Sequence, residues 1–568
     1  MTGAILGCIM SFRYAALFFI GVAAWAQPAA EPKPATVEGT VLNSVTKAPL
    51  RKVDVTLANG EMDAQVAAMM AQFKPSGPAQ ELPKVATKTL TATTDAMGKF
   101  RFENVPPGTY WLTAKKVGYG DGRYPEKGGD GSMRLSSGQE LKQADFRLVP
   151  HATLSGRVLD EEGEPYPSAM VSALTYHFAS GRRRMAPVDA VQTNNKGEFS
   201  LGKIPPGHYF LCADAVRMGM WAKAAPPPAD GSPETAYVGT YLPDTIDVAL
   251  AQKIDVAAGA ELSGFNIRLQ KAKVFRVSGK LTDAGGEPIK SAQIMLMGGG
   301  GRIGSMSMTM VSDPEGKFEL TNLQPGTYSA ITVQMQGSSP KMSMQTLVVP
   351  DHSVENVVLG ARREAAIHGK VVLDGDAKVT LEGFPISLTP AEGIAVMPVF
   401  GKADKTGAFA LEGVTPAAYD LTLPLSPAGT YLRSVMFNDR EALGQVLDCS
   451  AITSGTLGIV LGADGGKVEA GVSRDDKPAP NATVVLVPAD PTRRFPATVR
   501  RGVSDETGHV ALKDVPPGDY LAFAWEEVED GAWFDADFVK AAQGQAVKVQ
   551  VGPKANEEIQ LKLLPASK

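Results

Sequence analysis

The chain has 568 residues, of which 44% are hydrophobic and 21% charged, with 61 acidic residues against 56 Lys and Arg. This length suggests about four domains, and the apolar content is sufficient for folded cores. The small acidic excess provides no basic surface that could neutralise phosphates, so we expect no nucleic-acid partner.

The first residues have the pattern of a secretory signal peptide. Arg13 precedes a short apolar run, and this run ends in the small-residue sequence A-W-A before Gln27. Such a segment is too short to span a bilayer as a helix. We predict a signal peptide at residues 1–26, with Met10 as an alternative start. The mature chain is then exported to the periplasm or the cell exterior and has no transmembrane segment.

After this segment, one motif recurs five times. Its first copy reads D-A-M-G-K-F-R-F-E-N-V-P-P-G-T-Y-W-L, and the copies begin at Asp95, Asn194, Asp313, Asp404 and Asp505. The opening Asp or Asn can accept hydrogen bonds from backbone amides of its own turn. The glycine three positions later can adopt positive φ and close a hairpin. The alternating F-x-F, the Pro-Gly turn and the Tyr-x-Leu segment predict two successive strands, so the motif residues are expected to build the fold.

A second motif lies upstream of each copy. It reads V-E-G-T-V-L, L-S-G-R-V-L, V-S-G-K-L-T, I-H-G-K-V-V and V-E-A-G-V-S, beginning at Val37, Leu154, Val277, Ile367 and Val468. A strand, a polar turn and a second strand are the expected structure. With a closing strand, each unit has about seven strands in about 100 residues, the size of a β-sandwich.

These repeats define the predicted domain organisation. A linker is expected at residues 27–36. Five sandwich domains are expected to follow, at residues 37–149, 151–270, 274–360, 364–462 and 466–565.

The two motifs together resemble the carboxypeptidase regulatory-like domain family, which is related to prealbumin-like, Cna B-type and starch-binding-like sandwiches. The resemblance extends over all five copies, although Ala417 replaces a turn glycine and Val510 replaces an aromatic residue. It implies an all-β tandem array of seven-stranded Greek-key sandwiches with an extracytoplasmic accessory role. The zinc carboxypeptidase catalytic domain after which the family is named has no counterpart in this sequence.

Two segments depart from the repeat. Apolar residues at helical spacing between Glu61 and Phe73 predict a short helix inserted in the first domain. In the third domain, methionines alternate at 295 and 297, at 306 to 310, and at 342 and 344, which would place each group on one face of a strand. Thioethers favour Cu(I), but methionine also fills cores and adaptable binding surfaces, and this second explanation is preferred.

Catalytic motifs are not found in the sequence. The six histidines are scattered, and neither H-E-x-x-H nor G-x-S-x-G occurs. We therefore expect no enzymatic activity, no metal and no cofactor. Cys212 and Cys449 fall in different repeats, which favours buried free thiols over a disulfide.

Two functions fit these observations. One is a structural and interaction array at the cell envelope that contacts envelope proteins, and the other is a carbohydrate-binding array that recognises a polysaccharide. Aromatic residues that the repeat does not require are the candidate ligand-binding residues: Trp221, Tyr237, Tyr241, Trp525, Trp533 and Phe534. Rings on loops at the rim of a rigid sandwich could stack on sugars. They could equally cover the open ends of their own sandwiches.

Overall fold

The computed structural model describes residues 33–59, 89–124, 132–179, 182–215, 226, 228, 232–298, 306–311, 313–336, 339–360, 364–377, 379–391, 398–423 and 427–566. The predicted signal peptide and the predicted helix between Glu61 and Phe73 lie outside these residues. Within the described ranges, none of the helices has the length and apolar character needed to cross a membrane.

Strands dominate each of the five repeat units. The first unit contains β1 (Ala35–Asn43), β2 (Asp54–Asn59), β3 (Thr89–Thr93), β4 (Lys99–Val105), β5 (Gly108–Lys115), β6 (Gly122–Tyr124), β7 (Ser132–Leu135), β8 (Glu140–Leu141) and β9 (Phe146–Leu148). The second contains β10 (Ala152–Leu159), β11 (Met170–Ala179), β12 (Arg182–Gln192), β13 (Glu198–Ile204), β14 (Gly207–Asp214), β15 (Thr235–Val238), β16 (Thr240–Tyr241), β17 (Ile254–Val256), β18 (Glu261–Arg268) and β19 (Gln270–Lys273). The third contains β20 (Phe275–Thr282), β21 (Ala292–Gly298), β22 (Met306–Val311), β23 (Lys317–Leu323), β24 (Gly326–Gln336), β25 (Ser339–Val349) and β26 (Val354–Gly360).

The last two units continue this order. The fourth contains β27 (Ala365–Asp374), β28 (Pro385–Pro390), β29 (Val399–Lys402), β30 (Ala408–Val414), β31 (Ala418–Thr422), β32 (Tyr431–Phe437), β33 (Arg440–Glu441), β34 (Leu447–Asp448) and β35 (Ser454–Gly462). The fifth contains β36 (Gly466–Arg474), β37 (Lys477–Pro478), β38 (Thr483–Pro488), β39 (Arg500–Val503), β40 (His509–Val515), β41 (Gly518–Trp525), β42 (Val547–Val551) and β43 (Asn556–Lys562). Short helical segments are Val248–Leu250, Pro491–Arg493, Ala532–Phe534, Ala536–Ala542 and Gln543–Gln545.

Two main sheets form each unit, and the second unit has an additional two-stranded sheet of β15 and β19. The third unit shows the simplest arrangement. Its sheets have the orders β23-β20-β26 and β22-β21-β24-β25, which gives the predicted seven strands. The fourth unit extends the equivalent sheet to β30-β27-β35-β32-β33, and the other units add further short strands. The all-β sandwich fold predicted from the sequence is therefore confirmed, whereas the domain boundaries stay a prediction.

One pairing pattern is common to all five units. The first strand of each unit pairs antiparallel with the F-x-F strand and parallel with the closing strand, as β20 does with β23 and β26. The parallel pairs in the other units are β1 with β9, β10 with β18, β27 with β35 and β36 with β43. Strands from the beginning and the end of each unit thus lie side by side, and each unit encloses its own cluster of buried apolar residues.

The recurring turn has the predicted geometry. In the first copy, the Asp95 side chain accepts hydrogen bonds from the backbone N–H groups of Met97 and Lys99, both at 2.8 Å. Gly98 has φ +72°, and its carbonyl accepts a bond of 2.8 Å from the Val41 N–H. The turn is thereby attached to the first strand of the unit, as it is in the other four copies.

The Pro-Gly-x-Tyr segment is fixed by its tyrosine. In the fifth unit the Tyr520 hydroxyl donates to the Pro516 carbonyl at 2.7 Å, and the ring is buried in the core. The same backward hydrogen bond, to the residue four positions earlier, is made by Tyr110, Tyr209, Tyr328 and Tyr419. Its recurrence explains why the motif retains tyrosine, because phenylalanine could fill the space but not make the bond.

Candidate functional sites

The candidate aromatic residues of the fifth unit lie in a second apolar core. Trp525 and Trp533 are only 3% and 4% exposed, and they pack with Phe523 and Val539 on the outer side of the sheet. The helix Ala536–Ala542 covers this side. Asp535 caps the helix by accepting hydrogen bonds from two backbone amides of its first turn.

Ring-to-ring contacts occupy the faces that a ligand would need. The Phe523 and Trp525 rings stack with centroids 4.8 Å apart, and the Trp525 and Phe538 centroids are 5.7 Å apart. The centroids of the Trp533 and Phe534 rings are 6.1 Å apart, and part of the Phe534 surface remains exposed. A sugar could stack on Trp525 or Trp533 only if the residues covering them moved.

The sequence contained a signal for this second core. In β38, the residues Val484 to Val487 are all fully buried, so burial does not alternate along the strand. A continuous apolar run of this kind is typical of a strand covered on both faces. The run V-V-L-V therefore pointed to a cover on the outer side of the sheet.

Polar groups line the edge of this core. The guanidinium carbon of Arg501 lies 6.0 Å from the centre of the Trp533 ring, and Arg501 forms an ion pair with Asp530. The next residue, Gly531, has φ +88° and lies against Phe178 of β11, so the second and fifth units are in contact here. A Cβ built on Gly531 would be 2.5 Å from the Cβ of Phe178.

The candidates of the second unit lie in strands rather than in a loop. Tyr237 is in β15, and Tyr241 is in β16, where it is 1% exposed among Leu174, Met185 and Cys212. Trp221 lies outside the described residues.

Tyr237 is partly exposed and has close neighbours. Its ring centroid is 5.5 Å from that of Tyr166, and the Lys271 ammonium lies 5.0 Å from its centre. Lys271 also forms an ion pair with Glu161, which raises the pKa of the lysine. Among the described residues, no ring contact joins the candidates of the second unit to those of the fifth. Ligand binding by the six aromatic residues stays a prediction.

The junctions between units contain charged contacts that the sequence reasoning missed. Arg276 follows the connection between the second and third units, and its side chain is only 14% exposed. Its Nε donates to Glu234 of the second unit at 2.6 Å, and its Nη1 donates to Glu319 of the third at 2.8 Å. These hydrogen bonds raise the pKa of Arg276. One guanidinium thus joins two neighbouring sandwiches.

The junction between the fourth and fifth units also contains charged side chains. Arg433 forms ion pairs with Asp374 of β27 and with Asp464 of the short connection before β36. The Tyr431 hydroxyl donates to the same Asp464 carboxylate at 2.8 Å. Across the junction, the Gly429 N–H donates to an Asp514 carboxylate oxygen at 3.2 Å. Backbone and side-chain bonds together hold this connection.

The first two units are joined by main-chain hydrogen bonds. The Gly120 N–H donates to the Val149 carbonyl at 2.8 Å, and the His151 N–H donates to the Gly118 carbonyl at 2.9 Å. The Pro150 carbonyl accepts a bond of 3.0 Å from the Gly259 N–H of the second unit. The connecting residues therefore have fixed partners on both sides.

The described residues contain no group of three or more His, Cys, Asp or Glu side chains that could hold a metal ion. Cys212 and Cys449 are both buried thiols that form no disulfide within the described part of the chain, which confirms the prediction from their positions in the sequence. Burial raises the pKa of the Cys449 thiol to about 12. This thiol is therefore protonated at neutral pH, and a protonated thiol is a poor nucleophile.

Comparison with protein families matches residues 36–149 and 276–360 to the carboxypeptidase regulatory-like domain. These two segments correspond to the first and third units, and for these two units the match confirms the family that the motifs indicated. A comparison with curated proteins found no match.

Several solved structures are similar to the chain at low sequence identity. The Bacillus anthracis TIE protein is 13% identical, and the match covers 70% of this chain and 68% of that one, with a TM-score of 0.16. A streptococcal ancillary pilin is 12% identical over 58% of this chain and 99% of its own, with a TM-score of 0.16. GBS52, the minor pilin of Streptococcus agalactiae, is 14% identical over 42% and 96%, with a TM-score of 0.21.

Proposed function

We propose that this protein is exported and acts as a non-catalytic structural and interaction array at the cell envelope, in the periplasm or outside the cell. Its carboxypeptidase regulatory-like domains and the sandwiches beside them would set distance and orientation, while their loops contact envelope proteins. The observation that carries the proposal is the junction at Arg276, where one side chain is bonded to both neighbouring sandwiches.

This junction supports a structural role because it restricts the angle between neighbours. Val274 donates its N–H to the Glu234 carbonyl at 3.0 Å, and β19 pairs with β15 immediately before the third unit begins. With the connection itself hydrogen bonded in a sheet, the two sandwiches cannot rotate freely about a linker. A fixed angle is what a spacer requires, whereas an enzyme or a solitary binding module does not need one.

Small-angle X-ray scattering of the mature protein tests the proposal. Arg276→Ala removes the side chain that joins Glu234 to Glu319. The radius of gyration should therefore increase, or the distribution of interatomic distances in the protein should broaden. Arg157→Ala is the matched control, because Arg157 forms an exposed ion pair with Glu198 inside the second sandwich. The control should scatter as the parent does. If the parent already scatters as a chain of independently tumbling units, the structural proposal is wrong.

Export is tested separately by sequencing the N-terminus of the protein recovered from its native compartment. Cleavage after Ala26 is expected. Recovery of chains that still contain Arg13 would contradict export through a cleaved signal peptide.

The alternative proposal is a carbohydrate-binding array. Two candidate rings, Tyr237 and Phe534, keep part of their surface exposed, and the Tyr237 ring lies beside the Lys271 ammonium. This is the observation in favour of the alternative. A glycan array probed with the mature protein and with Tyr237→Ala would distinguish the two proposals. Binding that disappears in the variant at unchanged thermal stability would favour the carbohydrate function.

A further inference from the structure

One edge strand of the third unit is much longer than its counterparts in the other units. β25 has 11 residues, forms one end of the sheet β22-β21-β24-β25 and pairs with β24, the strand of the Pro-Gly-x-Tyr motif. In the other units, the strands that pair with the motif strand on this side have only two to five residues. They are β6, β7, β16, β17, β34 and β42. The third unit therefore presents an unusually long sheet edge at this position.

The second half of this edge, segment 343–349, has none of the features that usually prevent strand pairing. Its sequence S-M-Q-T-L-V-V contains neither a charged residue nor proline, and no register shift interrupts its pairing with β24. Among the described residues, no strand pairs with its other edge, and its backbone groups make no hydrogen bond outside β24. Soluble proteins normally protect such edges with charges, proline, bulges or short strands. β42 conforms to this rule, because it is short and contains Lys548.

Core packing holds this segment in place from one side. Leu347 and Val349 are 5% and 2% exposed and belong to the core between the two sheets. The alternate residues Thr346 and Val348 lie on the outer face, where both are exposed and Val348 reaches 63%. The core therefore keeps the strand extended, while its outer edge remains accessible to another chain.

We propose that this edge is a self-association surface, at which segment 343–349 of one copy pairs antiparallel with the same segment of a second copy. The two-fold axis lies between the two Thr346 residues and is perpendicular to the sheet. Thr346 then lies opposite its equivalent, and Met344 of each copy lies opposite Val348 of the other. The two four-stranded sheets join into one continuous sheet.

The sequence of the segment suits a second copy as the partner. A partner for this edge must itself offer a long uncharged strand edge, which a second copy does. The two-fold axis reverses the strand direction but keeps the inner and outer faces, so core-facing residues stay on the core side in both copies. No charged residue lies within the paired segments, so no like charges meet across the axis. Cross-strand pairs of threonines and of apolar side chains, as formed here, stabilise antiparallel sheets.

The mass of the mature protein in solution tests this pairing. Sedimentation equilibrium of the parent should give twice the mass of a single chain. Thr346→Lys places two ammonium groups opposite each other at the axis, and like charges directly opposite are destabilising. The dissociation constant of this variant should rise by about tenfold or more. Because Thr346 is exposed in the single chain, the variant should keep the circular dichroism spectrum of the parent.

Thr456→Lys is the matched control. Thr456 is also an exposed threonine in a strand, but its strand β35 lies inside its sheet, between β27 and β32. This variant should keep the mass of the parent. A mixture of Thr346→Lys and Thr346→Glu chains gives an independent readout, because opposite charges then meet at the axis. Each variant alone should sediment as a single chain, and the mixture should recover the double mass.

Three results would overturn the proposal. The parent could have the mass of a single chain at every concentration tested, or Thr346→Lys could associate as tightly as the parent, which would place the interface elsewhere. The mixture of the two charged variants could also fail to associate although both have the spectrum of the parent. If the parent is a single chain and an added extended peptide protects the amides of segment 343–349 from hydrogen exchange, the edge binds a different protein and the self-association does not occur.

Discussion

Replacement of Gly197 by alanine is expected to destabilise the second unit strongly. This glycine of the recurring turn has φ +69°, and a Cβ there would lie 2.5 Å from the Val158 carbonyl oxygen and 3.1 Å from the Tyr166 nitrogen. Left-handed backbone costs a residue with a side chain about 1–2 kcal/mol, and overpacking against rigid groups costs about 1–3 kcal/mol more. A stiffer unfolded chain returns about 0.4–1 kcal/mol, so the expected net loss is about 1–5 kcal/mol.

Gly202→Ala is the matched control in the same unit. Gly202 lies in β13, and a Cβ there would meet nothing within 4 Å. Hydrogen exchange of the mature protein can compare the two variants at the Val158 amide, which bonds the Gly197 carbonyl at 2.8 Å. Protection of this amide should fall in the Gly197 variant and remain near the parent value in the control. Equal protection in both variants would refute the argument from turn geometry.

Three further predictions concern other units. Burial raises the pKa of Tyr520 to about 12 from an ordinary value of 10.0. Between these two values only the tyrosine of the unfolded chain ionises. The fifth unit should therefore keep its full stability below pH 10 and lose stability as the pH rises towards 12. The Tyr520→Phe variant should lose less stability at alkaline pH when its melting is followed against pH. At neutral pH it should be less stable than the parent by about 1 kcal/mol, because the hydrogen bond of the Tyr520 hydroxyl is lost. An unchanged alkaline profile would contradict the assignment of this pKa to Tyr520. Trp533→Ala should lower the stability of the fifth unit by about 3–5 kcal/mol in calorimetry if its cluster is a core, and an unchanged melting temperature would show that it is not. Fragment 151–273 should melt higher than fragment 151–270, because the shorter one retains only Gln270 of the four β19 residues that pair with β15. Equal melting temperatures would argue against a role of β19 in the second unit.

Much of the fold was predictable because its determinants are local. Asp95 bonds to amides two and four residues away, and Tyr520 bonds to a carbonyl four residues back. Interactions over so short a distance leave a fixed spacing in the sequence. Five copies of that spacing identify the turns, the strands that flank them and the family.

The candidate site was less predictable because burial depends on what covers a surface. Trp533 and Tyr241 appeared suitable for a rim, but their exposure is decided by the helix Ala536–Ala542 and by packing against Leu174. The helix begins only three residues after Trp533, but the sheet surface against which both pack belongs to other strands, and Leu174 lies in a different strand from Tyr241. A sequence pattern gives the face of a strand on which a residue lies, but not whether another element covers that face.

The sequence by itself determined the sandwich, its repeats and its turns, since each follows from alternation and from residues with special backbone geometry. Only the tertiary structure decided how neighbouring units are joined. Arg276 and Glu234 are 42 residues apart, and Gly429 and Asp514 are 85 apart. No periodicity links such pairs, because a single long-range contact requires only that two folded surfaces meet.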